Sequence, residues 1–68
     1  MSIGTLFVTV LNPYFVGELL IFESGKGEGG LIYNGNPKER QIPAWVKEKK
    51  VQEIYVAEDG ELAIIVNA

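Results

Sequence analysis

The residues from Val51 to Ala68 constrain the fold of this chain more than any other stretch. Two alternating apolar runs, Val51–Ala57 and Glu61–Asn67, flank Glu58-Asp59-Gly60, and Asp-Gly between such runs is a strong local signal for a β-hairpin. Alternation also selects the register. A two-residue loop at Asp59-Gly60 puts Leu62 on a face with Ala57, and Glu53 on a face with Ile64 and Val66. A three-residue loop with Gly60 left-handed gathers Ile54, Val56, Leu62, Ile64 and Val66 on one face, with Glu53, Tyr55, Glu61, Ala63 and Ile65 on the other. A slip of one residue exchanges the two faces of a strand, so one-sided burial favours the three-residue loop.

The remainder of the chain extends this β pattern. Thr5–Leu11 alternates Leu6, Val8 and Val10 with Thr5, Phe7 and Thr9, and its β-branched and aromatic content favours a strand. Asn12-Pro13-Tyr14 reads as a turn. Phe15–Glu23 reads as a second strand, apolar on both faces, which marks a central strand or one covered by a partner subunit. The glycine-rich Ser24–Gly30 is a loop, Leu31–Asn34 a third strand, and Asn34-Gly35-Asn36-Pro37 a stop. Pro43 suits the first turn of a short helix, with Trp45 and Val46 inward and Lys47–Lys50 outward. The order β-β-β-α-β-β predicts a β-rich α+β domain spanning residues 1–68. Its form would be a small five-stranded barrel or curled antiparallel sheet, OB-like or SH3-like, with one short helix.

Composition then narrows function. Among 68 residues there is no cysteine and no histidine, which removes the commonest general base, thiolate metal ligands and the best nucleophile. No catalytic residue, cofactor or metal is therefore expected, and the chain does not read as an enzyme. The net charge of −3 disfavours generic binding to nucleic acid or anionic membranes. Charge is nonetheless segregated. Lys38, Arg40, Lys47, Lys49 and Lys50 crowd residues 38–50, whereas Glu53, Glu58, Asp59 and Glu61 occupy the hairpin. Residues 3–22 are apolar with Glu18 as the single charge, but Asn12-Pro13 interrupts them and no basic residue flanks them. Two strands and a turn explain the run better than a membrane span or a signal peptide. A soluble, cytoplasmic protein is expected.

Few patterns carry chemistry. Gly25-Lys26-Gly27-Glu28-Gly29-Gly30 lacks the Ser or Thr after lysine, and the following helix, that a phosphate-binding loop needs. The carboxylates at the hairpin tip are solvated and do not form a desolvated acid–base pair. Glu18 reads as a charge turned to solvent beside Gly17, or as a partner for Lys26, Arg40 or Lys47. What remains is surface. Phe7, Tyr55 and Ile65 fall on the face opposite the expected core, and exposed aromatics of this kind enrich protein interfaces. The expected function is a non-catalytic binding or assembly module. Its main partner would be itself, as a homo-oligomer, or another protein. One alternative is an OB-like binder of single-stranded nucleic acid using Phe7, Tyr33, Lys38 and Arg40. A second is a small regulator that docks on an enzyme through the basic 38–50 segment and its Lys47, Lys49 and Lys50.

Overall fold

A strand that is apolar at nearly every position must be covered on both faces and flanked on both edges. Leu19–Glu23 is flanked on both edges by taking a central place. In the computed structural model, which describes residues 1–6, 17–57 and 60–68, the strands are β1 (Leu19–Glu23), β2 (Leu31–Gly35), β3 (Val51–Val56) and β4 (Leu62–Val66). Their order across the sheet is β2-β1-β4-β3. Two antiparallel pairs, β1 with β2 and β3 with β4, are joined in the middle by a parallel pairing of β1 with β4. The parallel register sets Leu19 beside Leu62, Ile21 beside Ile64 and Phe22 beside Ile65.

This order places β2 and β3 on opposite edges, so the chain between them must cross the sheet. Three strand spacings of about 4.8 Å make that crossing roughly 14 Å. The short helix α2 (Ala44–Lys47) lies within the connection, and α1 (Ile3–Leu6) packs beside it. Val46 and Ile42 from the connection, and Ile3 and Leu6 from α1, join Leu19, Ile21, Tyr33, Ile64 and Val66 in one buried cluster. Each large apolar side chain buried in this way contributes roughly 1.5–3 kcal/mol. A domain of this length retains a net stability on the order of 3–10 kcal/mol, so few core positions are dispensable.

Several expectations are corrected. Among the described residues the sheet has four strands and two short helices and does not close into a barrel, in place of five strands with one helix. The central parallel pairing also replaces the wholly antiparallel curled sheet. Thr5 and Leu6 belong to α1, not to a strand. Ser2 caps that turn, its Oγ accepting the Thr5 N–H at 3.1 Å while its carbonyl accepts the Leu6 N–H at 2.9 Å. A serine so placed satisfies amide donors that a strand would leave for a neighbour. Residues 7–16, which include the rest of the expected first strand, the turn at 12–14 and Phe7, lie outside the described residues. Helix α2 is a single turn, and Val46 alone of its residues is buried, whereas Trp45 is 52% exposed instead of facing inward.

The hairpin has the register expected for a three-residue loop. Ile54 pairs with Ile64, Tyr55 with Ala63 and Val56 with Leu62. The Ala57 N–H donates to the Glu61 carbonyl at 2.7 Å, and Gly60 adopts φ of 88°, a left-handed conformation that glycine reaches without strain. Another glycine is held by space. A Cβ on Gly30 would stand 2.7 Å from the Glu23 carbonyl oxygen, so the 3-10 turn Gly27–Gly30 can close against β1 only with glycine there.

Candidate functional site

Strand pairing divides the sheet into the face beneath α1 and α2 and an opposite face, open in that neither described helix packs on it. Of the residues expected to contact nucleic acid, the structure brings Tyr33 and Arg40 together. Tyr33 is buried under the helices, and its hydroxyl donates to the Arg40 carbonyl at 2.6 Å. The Arg40 guanidinium lies over the Tyr33 ring, 5.4 Å from its centroid, and Nη1 donates to both the Asn34 carbonyl and Asn34 Oδ1 at 3.0 Å. Burial pushes the Tyr33 phenol above its ordinary value; the Arg40 charge opposes this and Glu18 adds to it. Tyr33 and Arg40 therefore act together as a structural clamp that ties β2 to the 36–42 connection. Buried in this way, the Tyr33 ring offers no face for base stacking. Phe7, the remaining aromatic of that set, lies outside the described residues.

The lysines of the docking set also part company. Lys49 Nζ sits 3.2 Å from Glu23 Oε2, and Lys26 Nζ sits 3.0 Å from Glu23 Oε1. The two lysines hold the Glu23 carboxyl below the usual glutamate value, Lys26 contributing first. Lys50 lies in an isolated antiparallel bridge with Ser2. Lys47 and Lys38 are exposed and line a groove of about 780 Å³ beside Pro37 and Ile42. A volume in that range suits a small-molecule site, and the polar side chains on its wall are those of Lys38, Glu39, Gln41 and Lys47. Glu18 is exposed and forms no ion pair with Lys26, Arg40 or Lys47 among the described residues. No cluster of metal-ligating side chains forms among the described residues, and none of their helices is long and apolar enough to cross a membrane.

What the sheet does present is apolar. On the open face, Phe22 of β1 and Ile65 of β4 stand side by side in register, with Leu31 of β2 across from Phe22. Tyr55 and Ile65 both lie on this face, as the hairpin pattern predicted, and with Phe22 they line a depression that the Ser24–Gly27 loop closes at one end. The greater exposure is on β3, where every residue from Gln52 to Val56 is exposed. Ile54 is 42% exposed, Tyr55 44% and Val56 69%.

The exposure of Ile54 and Val56 was not visible in the pattern, which assigns both to the core side. They do lie on that side, opposite Ile64 and Leu62. However, β3 is the outermost strand, so their outer flanks have no neighbour among the described residues. The signal that could have marked them is compositional: Ile54-Tyr55-Val56 is a run of β-prone residues without Lys or Pro to guard it. Set against protein families, curated proteins and solved structures, the chain matches none of them.

Proposed function

We propose that this protein is a non-catalytic binding and assembly module that works through protein–protein contacts, foremost with further copies of itself. The observation that supports the reading is the edge strand β3, with Ile54, Tyr55 and Val56 exposed in succession. The central position of β1 gives it a neighbour on each edge, while α1 and α2 pack on only one of its faces. Isolated surface hydrophobics are common and carry little meaning, but a contiguous apolar patch marks a contact. Here the patch continues from β3 through Ile65 and Phe22, both partly buried, on the face opposite the helices.

Light scattering coupled to size-exclusion chromatography, across a range of protein concentrations, tests the reading. A defined dimer or larger closed assembly is the expected result. A monomer throughout that range overturns it.

A further inference from the structure

We propose that β3 receives a second copy of this chain by antiparallel strand addition about a two-fold axis at Tyr55, making one continuous sheet across two molecules. The proposal rests on the assembly reading above and specifies its surface, its partner and its register.

Backbone geometry supplies the first reason. In an antiparallel ladder, residues alternate between those bonded to the neighbouring strand and those whose N–H and C=O point away. The bond from the Ala57 N–H to the Glu61 carbonyl fixes the phase: Ala57, Tyr55 and Glu53 bond inward to β4, and Ile54 and Val56 present both of their backbone groups outward. Among the described residues nothing bonds to those four groups. Towards the start of β3 the outer edge is already taken, since the Val51 N–H donates to the Met1 carbonyl at 2.7 Å and Ser2 bridges Lys50. The bulge between Val51 and Glu53 separates that closed part from the open part. The available edge therefore runs from Glu53 to Ala57.

Side chains supply the second reason. Ile54 and Val56 project on the helix side of the sheet and Tyr55 on the open side. A helix or a groove can cover one side of an edge strand, but only another strand covers both sides and bonds to the edge itself. Of the two-fold registers, the one centred on Tyr55 sets Ile54 opposite Val56 of the second copy, twice, so all four outward groups of each copy bond. It also sets the Tyr55 rings against each other across the axis and Glu53 opposite Ala57. A register centred on Ile54 would instead pair Val56 with Gln52 in the bulge and Glu53 with Tyr55.

Charge favours this chain over a foreign strand and the antiparallel sense over the parallel one. In the sequence, Lys47 and Lys50 precede β3, with Lys49 between them paired to Glu23, and Glu58, Asp59 and Glu61 follow it. An antiparallel second copy brings its acidic end towards the basic end of the first, and does so at both ends of the ladder. Opposite-sign surfaces of this kind fix orientation and suppress wrong partners.

Because the chain has no cysteine, single-cysteine variants test the register cleanly. Residues directly opposite in a non-hydrogen-bonded antiparallel pair have Cα atoms about 4.5 Å apart, within the range a disulfide spans. Under mild oxidation Tyr55→Cys is expected to form a covalent dimer at least about tenfold faster than Leu31→Cys on the opposite edge. Amide hydrogen exchange on the unaltered protein provides a measure that does not remove the tyrosine. The Ile54 and Val56 N–H groups should gain protection as concentration rises, while the Tyr55 N–H, bonded to β4, stays protected throughout. An assembly in solution with no Tyr55 cross-linking above Leu31, and with exchange at Ile54 and Val56 independent of concentration, overturns the β3 axis and leaves the assembly reading standing. A protein that is monomeric at every concentration overturns both.

Discussion

Tyr33 shows how one polar atom can fix a buried aromatic ring. Its ring is held in the core while its hydroxyl reaches the Arg40 carbonyl at 2.6 Å, which satisfies the hydroxyl and anchors the connection leaving β2. Removing the hydroxyl in Tyr33→Phe deletes a part-buried hydrogen bond, a net loss of about 0.5–1.5 kcal/mol. Denaturant unfolding should show that loss with an unchanged slope, because the bonds of Arg40 to Asn34 do not depend on the phenol. The same group gives an alkaline signature. Since folding raises the Tyr33 value, the unfolded chain deprotonates first as pH increases. The contribution is therefore complete below the unfolded value, near pH 10, and is lost as pH rises through the folded one. Ultraviolet titration should show Tyr33 ionising above the ordinary tyrosine range.

At the scale of elements, Glu23 is the joint where three segments meet. It ends β1, holds Lys26 of the glycine-rich loop on one carboxylate oxygen and Lys49 of the link between α2 and β3 on the other. Folding lowers the Glu23 value, so its stabilisation is complete above the unfolded glutamate value and is lost as pH falls through the lower, folded one. Lys26 is half exposed, and solvent and salt weaken that arm more than the Lys49 arm. In Glu23→Gln the melting temperature should fall relative to the unaltered protein at neutral pH, and the difference should close below about pH 4. A difference that persists in acid would show that packing, not charge, holds this joint. Elements of this size differ in how far the sequence reveals them. The β3–β4 hairpin is legible because a period of two and a left-handed glycine at Gly60 act within a few residues of each other. The first turn is not, because Thr5 and Leu6 continue a strand-like alternation and a single serine hydroxyl decides for a helix. Trp45 misleads in another way: its size suggests an anchor, but a one-turn helix gives the core only one side chain, and Val46 takes that place.

For the whole molecule, the missing information was the pairing of β1 with β4, which joins Leu19 to Leu62 across most of the chain. Two-sided apolarity announces that Leu19–Glu23 needs neighbours, but no local pattern names them, and the parallel choice excludes the barrel by leaving β2 and β3 as separate edges. The candidate site was half legible for the same reason. The outward placement of Tyr55 and Ile65 follows from alternation alone, while the exposure of Ile54 and Val56 follows from β3 being last in the sheet. Position in the sheet therefore sets two different roles for residues of the same hairpin. Ile64 is fully buried between β1 and β3, and Ile64→Ala should cost about 2–5 kcal/mol through lost contacts and the cavity left behind. Against a total on the order of 3–10 kcal/mol, that loss leaves a partly unfolded population visible by circular dichroism in water. Val56 is the most exposed of the described large apolar residues, so Val56→Ala should change the stability of the dilute monomer by only about 0.5 kcal/mol. Under the proposed assembly, however, self-association shifts melting by mass action, and the melting temperature of the unaltered protein rises with concentration. Val56→Ala should flatten that rise while leaving the dilute melting temperature nearly unchanged. If dilute and concentrated samples of Val56→Ala melted like those of the unaltered protein, β3 would be an ordinary edge.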